Sequence, residues 1–150
     1  MALDVGDPAP DFALRNQHGE VVERRDLLGA PALLVFYPYA FSGICSRELA
    51  ELQEAWPDFT AAGARVLAIS VDTIYALRTF ADQLGLGFGL LSDFWPHGAT
   101  ASAYGVFDAE LGCATRGSFV LDADGVVAWT MLNEIGRPRD IAAHLNAVQR

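Results

Sequence analysis

Tyr37-Pro38-Tyr39-Ala40-Phe41-Ser42-Gly43-Ile44-Cys45, running on into Ser46-Arg47-Glu48-Leu49, is the stretch that decides the fold. Ahead of it, Ala32-Leu33-Leu34-Val35-Phe36 is an unbroken apolar run of strand length. Beyond it, apolar residues recur at helical spacing through Ile44, Leu49, Leu52 and Trp56. Cys45 therefore stands where a buried strand hands over to a helix. The first turn of a helix has unpaired backbone N–H groups and the positive end of the macrodipole, and both favour a thiolate over a thiol. A free cysteine has a pKa of about 8.5, which helix N-termini and cationic neighbours can lower to roughly 3.5–7.5. On composition alone, the reading favoured for Cys45 is a small buried hydrophobe, and its neighbours change that balance.

The chain on either side is read outward from that junction. Asp11–Leu14 and Glu20–Glu23 flank the turn-rich Asn16-Gln17-His18-Gly19 and predict an N-terminal β-hairpin, followed by a helical turn at Asp26–Gly29. The helix after Cys45 is predicted to reach Ala62, with Pro57 kinking it or ending its first segment. Val66–Val71 predicts a second buried strand, Ile74–Leu84 an amphipathic helix, and Leu90–Ser92 a short strand. The glycine run 85–89 follows a helix and lacks the spacing and lysine of a phosphate loop. An aromatic loop, Asp93–His97, precedes a helix over about 98–104. Gly117–Leu121 and Val126–Met131 flank Asp122-Ala123-Asp124-Gly125 as a hairpin, and Asp140 caps a last helix with Ile141, Leu145 and Val148 inward. The order predicts an α/β fold, a central mixed sheet with helices on both sides. Nothing marks a domain boundary, so 1–150 reads as one domain.

Composition excludes several classes. A formal charge of −9 and the absence of a basic run longer than Arg24-Arg25 argue against nucleic acid and anionic lipid. No apolar run reaches the roughly 18 residues of a membrane span. Met1–Asp7 has neither the basic nor the apolar region of a secretory signal, so the expected compartment is the cytoplasm, with both cysteines as thiols. His18, His97 and His144 have no ligand spacing to one another or to a cysteine, so no metal is expected, and no cofactor is called for.

Pro38-x-x-x-Ser42-x-x-Cys45, Glu48 one turn later and an isolated Arg116 opening a late strand resemble the peroxiredoxins, thiol peroxidases of thioredoxin-like fold. Leu90–Ala99 and Tyr104-Gly105-Val106-Phe107 are similar to the alkyl hydroperoxide reductase E group, and the likeness extends from Val5 to the terminal helix. The resemblance implies a thiol-specific peroxidase that reduces hydrogen peroxide and organic hydroperoxides. Cys45 would be the peroxidatic cysteine, oxidised to sulfenic acid and reset by an external thiol. Arg116 would stabilise the oxygens as negative charge moves onto them, or else be a surface cation. Ser42 would donate to sulfur or peroxide, or serve as a helix cap, and Pro38 would shield the sulfur. Glu48 would orient Arg116, or lie on a solvated face. Tyr39, Phe41, Phe94 and Trp95 would form an apolar collar for alkyl or lipid hydroperoxides, or belong to core or subunit contacts. The implied reductants are mycothiol with a mycoredoxin, or thioredoxin, and the implied assembly is a homodimer or larger.

Relatives with a second thiol five residues after the first have their counterpart here in Ala50. Cys113 precedes Arg116 by three; within one strand, odd spacing sends the two to opposite faces, about 10 Å apart along it. A bridge needs Cα atoms within about 7 Å, which favours a one-cysteine cycle. A thiol–disulfide oxidoreductase would want a cysteine at Glu48, and a redox sensor would pass the oxidation of Cys45 to a partner.

Overall fold

The computed structural model describes residues 3–134 and 136–149. Met1 and Ala2, part of the stretch read for a signal, lie outside them. Strands β1 (Ala13–Asn16), β2 (Val21–Glu23), β3 (Ala32–Phe36), β4 (Arg65–Ser70) and β5 (Gly89–Ser92) form most of a seven-stranded sheet. Helices α1 (Gly43–Ala61), α2 (Ile74–Leu84) and α3 (Ala99–Ala103) are interleaved with them. Next come a small ribbon of β6 (Phe107–Asp108) and β7 (Cys113–Ala114), the hairpin β8 (Arg116–Leu121) and β9 (Val127–Asn133), and α4 (Ile141–Gln149). The sheet runs β2-β1-β5-β4-β3-β8-β9, with β3, β4 and β5 mutually parallel and the other pairs antiparallel. It is the mixed sheet expected from the sequence.

Strand alternation sorts the core into two layers. Leu33, Val35, Val66, Ala68, Leu90 and Val120 face α1, α2 and α4, whereas Leu34, Phe36, Leu67, Ile69, Leu91, Phe119 and Leu121 pack with Ala101 and Tyr104 on the other side. In β8 the parity of Val120 belongs also to Ser118 and Arg116. The start of that strand therefore points at α1.

Most boundaries shift by a residue or two from the sequence reading, and several features differ for an identifiable reason. The first strand starts at Ala13 instead of Asp11, where its ladder with β2 opens opposite Glu23, and Asn16 sets the turn at its other end, its Oδ1 accepting from the N–H groups of His18 and Glu20. The helical turn is a 3₁₀ segment over Arg24–Leu27, closed by reciprocal bonds between Glu23 and Asp26. Pro57 neither ends nor splits α1, which buries Leu49, Leu52 and Phe59 on both sides of it; the packing outweighs one missing backbone bond. The ribbon β6–β7 was not foreseen, because strands of two residues carry no periodicity. Gly87 lies where a Cβ would stand 2.4 Å from the Trp56 ring, so this part of the glycine run serves close packing.

Candidate active site

Beyond β3 the backbone turns through Tyr37–Ser42 into α1. The Asp72 carboxylate holds this turn, accepting from the Ala40 N–H at 2.8 Å and the Ser70 hydroxyl at 2.7 Å. Phe41 adopts φ +70°, a left-handed conformation costly for a residue with a Cβ. Ser42 then caps α1, its Oγ accepting from the Cys45 N–H at 3.3 Å. Cys45 thus lies in the first helical turn, with its side chain fully buried.

Arg116 reaches it from the start of β8. One guanidinium nitrogen, Nη2, lies 3.1 Å from Cys45 Sγ, while Nη1 donates to Glu48 Oε1 at 2.8 Å. Glu48, one helical turn after Cys45, is itself 2% exposed. A second arginine meets the same carboxylate: the Arg139 N–H donates to Glu48 Oε2 at 2.8 Å, and its Nη1 pairs with Oε1. Arg139 Nε donates to Ser118 Oγ at 2.8 Å, and Nη2 to the Gly117 carbonyl at 3.3 Å. Gly117 has no room for a side chain, since a Cβ there would lie 2.6 Å from Val106. Burial lowers Arg139 to about 10, still protonated at neutral pH, with Glu48 opposing the shift.

The network ends in a histidine. His144 Nδ1 lies 2.6 Å from the Asp140 carbonyl, to which it must donate, so Nε2, 2.7 Å from Ser118 Oγ, accepts the serine proton. Burial lowers His144 to about 4 despite the bond to Asp140. The ring is neutral at neutral pH. Two guanidiniums and one carboxylate therefore leave this buried cluster one positive charge in excess, with the Cys45 sulfur against it.

A pocket of about 390 Å³ opens over the cluster, lined by Pro38, Tyr39, Ser42, Ile44, Leu111, Cys113 and Arg116 among others. Cys45 has no surface of its own there, but Arg116, its 3.1 Å neighbour, does. Pro38, Ser42, Cys45, Glu48 and Arg116 are thus brought together. Ser42 serves the backbone as a cap; among the described residues no bond runs from its hydroxyl to the sulfur. Glu48 lies in the core, not on a solvated face.

The aromatic collar is dispersed within one chain. Tyr39 stands at the pocket mouth, Phe41 packs edge-on against Phe80 with centroids 5.1 Å apart, and Phe94 and Trp95 line another groove with Tyr75. The strand-parity reading of Cys113 also fails. β7 ends at Ala114 and pairs with β6, so Cys113 does not share a strand with Arg116, and both line the pocket.

Sequence reasoning missed Arg139, Ser118 and His144. Ser118 was legible two residues after Arg116 on one strand, and His144 falls on the inward face that Ile141 and Val148 define. Arg137 and Arg139 flank Pro138 alike, and no local pattern says which is buried. Among the described residues no group of three His, Cys, Asp or Glu side chains is placed to hold a metal, and no helix is long and apolar enough to cross a membrane.

Comparison with known proteins shows the family. Residues 5–130 match the AhpC/TSA family. Alkyl hydroperoxide reductase E of Mycobacterium tuberculosis is 46% identical over 139 residues, covering 92% of this chain and 91% of that protein. The selenocysteine-containing peroxiredoxin PrxU of Peptoclostridium acidaminophilum is 31% identical, covering 98% of this chain and 76% of its own. Among solved structures, the peroxidoxin BcpB of Mycobacterium tuberculosis superposes with a TM-score of 0.87 at 28% identity, covering 98% of this chain and 97% of that one. With a mixed sheet of this order, a cysteine in the first turn of α1 and an arginine on its sulfur, the chain belongs to the AhpC/TSA family and is a peroxiredoxin, a thiol-dependent peroxidase of thioredoxin-like fold.

Proposed function

We propose that Cys45 is the peroxidatic cysteine, acting as one site in a single domain spanning 1–150. The observation that carries this is the 3.1 Å approach of Arg116 Nη2 to Cys45 Sγ. The Cys45 thiolate attacks the near oxygen of the peroxide and the O–O bond breaks. Sulfur keeps the attacked oxygen as sulfenic acid, and the far oxygen leaves as water or alcohol after taking up a proton. Charge passes from sulfur to oxygen, and a guanidinium whose donors span both atoms stabilises that transfer. The excess positive charge of Arg116, Glu48 and Arg139 is balanced by the sulfur anion before attack and by the leaving oxygen during it. Ser42 adds a hydroxyl at the mouth, and the Pro38 ring keeps water from the sulfur.

The pocket wall of Pro38, Tyr39, Ile44 and Leu111 is apolar, which suits organic hydroperoxides as well as hydrogen peroxide. Electrons come from an external thiol, mycothiol with a mycoredoxin or thioredoxin, two thiols being oxidised per peroxide. Both cysteines are unbonded, in keeping with a reducing cytoplasm. Trp95, 79% exposed beside Phe94 and Tyr75, offers a self-association surface for a homodimer or larger assembly.

Stopped-flow mixing of reduced protein with hydrogen peroxide and with an alkyl hydroperoxide tests this, together with dimedone trapping and mass spectrometry. One dimedone adduct at Cys45 and no reaction in Cys45→Ser are expected. A Cys45→Ser protein that consumes peroxide as fast as the parent overturns the assignment.

A further inference from the structure

The peroxidase reading uses Arg116 and Glu48 and leaves the far end of the same network without a task. His144 and Ser118 are fully buried, and neither lines the pocket. The last helix nevertheless holds the histidine in one orientation. Its ring Nδ1 and its backbone N–H both donate to the Asp140 carbonyl, at 2.6 and 3.3 Å. Trp129 of β9 meets the ring edge-on, with centroids 5.0 Å apart. The tautomer is thereby set, and the neutral ring presents a lone pair on Nε2, 2.7 Å from Ser118 Oγ.

A serine hydroxyl has one proton and two lone pairs. With the proton of Ser118 committed to His144, a lone pair is left for Arg139 Nε at 2.8 Å. That bond, with Nη2 on the Gly117 carbonyl at 3.3 Å, turns the Arg139 guanidinium so that Nη1 meets Glu48 Oε1. The same oxygen accepts from Arg116 Nη1 at 2.8 Å, and Arg116 Nη2 lies 3.1 Å from Cys45 Sγ. An unbroken series of directed contacts therefore joins α4 to the sulfur.

We propose that His144 is a positioning residue for peroxide reduction: by accepting the Ser118 proton it fixes Arg139 and Glu48, and through them the Arg116 cation on the Cys45 sulfur. This rests on the reading of Cys45 as peroxidatic. Without the acceptor, the Ser118 hydroxyl is free to turn its proton toward Arg139, where two donors then face each other. Arg139 loses a bond, and the two arginines share Glu48 Oε1 without a fixed geometry. A displaced cation stabilises the departing oxygen less well, because preorganised donors act at the place where charge develops.

Stopped-flow rates with hydrogen peroxide at neutral pH test this, with denaturant unfolding measured alongside. His144→Phe keeps a ring against Trp129 but has no acceptor, and should react about fivefold to tenfold more slowly, the equivalent of one buried hydrogen bond. Ser118→Ala breaks the next link and should slow the reaction by the same factor; being the smaller change, it carries the test alone if His144→Phe does not fold. The double variant should be no slower than either single one. His144→Gln, whose amide oxygen can take the place of Nε2, should recover most of the rate. Val148→Ala, in the apolar core beside the network, should lose stability yet keep the parent rate per folded molecule.

Three results overturn the proposal: single variants that react at the parent rate, losses that multiply in the double variant, or His144→Gln as slow as His144→Phe. Dimedone trapping separates this from failure of the underlying reading. An adduct on Cys45 in every variant leaves only the role of His144 in question, whereas its absence from the parent defeats the peroxidatic assignment itself.

Discussion

On one face of the sheet β8 offers Arg116 and Ser118 to α1 and α4, where Glu48, Arg139 and His144 close a buried polar network around the Cys45 sulfur. On the other face the same strand offers Phe119, which packs against Phe36 and Tyr104 with ring centroids 5.9 and 5.4 Å away. Phe36 and Tyr104 complete the triangle at 5.3 Å. Within this triangle of rings the polar atom is the Tyr104 hydroxyl, which donates to the Pro10 carbonyl. The aromatic face gains free energy by removing apolar surface from water. The polar face takes three charged side chains out of water and recovers that cost through mutual pairing, a poor route to stability but a direct one to a fixed cation beside a sulfur. Both layers carry buried apolar clusters, but only the one facing α1 also holds a charge in place.

Substitutions on the two faces should therefore separate rate from stability. Arg116→Met is expected to lower the peroxide reaction rate by about a hundred- to a thousand-fold, by stopped flow, since it removes the cation facing the developing oxyanion. Glu48 keeps Arg139 in that variant, so it should still fold. Glu48→Ala leaves two buried guanidiniums without their carboxylate and should cost about 3–5 kcal/mol by denaturant unfolding. If Glu48→Ala were neutral in stability, the polar layer would not be acting as a paired cluster.

Phe119→Leu, on the aromatic face, should cost about 1–2 kcal/mol and leave the rate per folded molecule unchanged. A large loss of rate there would show that the two layers are coupled. The remaining test is a pH slope. Folding lowers His144 from 6.5 to about 4, so the unfolded chain takes up the proton first. This contribution is complete above about pH 6.5 and is lost as pH falls toward about 4, at no more than about 1.4 kcal/mol per pH unit. Unfolding of the parent and of His144→Gln across that range should differ by this slope.

Much of this arrangement was legible in the chain itself. The apolar run 32–36 followed by helical spacing from Ile44 put Cys45 at a strand-to-helix junction, because strand and helix periods are local properties. The same holds for α2, whose predicted bounds are those observed. Arg116 was singled out by its resemblance to a family pattern, and strand parity explains why it meets α1. The second arginine was not legible, because Arg139 becomes buried only when the loop after β9 folds back on Glu48, 91 positions away.

The sequence alone determined the alternation of buried strands and amphipathic helices, and with it the thiol at a helix start, since these depend on residue spacing over one or two turns. Tertiary structure decided which charges meet. The pairing of Glu48 with both arginines, the neutral His144 and the shared pocket of Cys113 and Arg116 depend on distant segments and on a ladder break at Thr115. Buried electrostatics and strand register are set by neighbours in space, which local patterns do not encode.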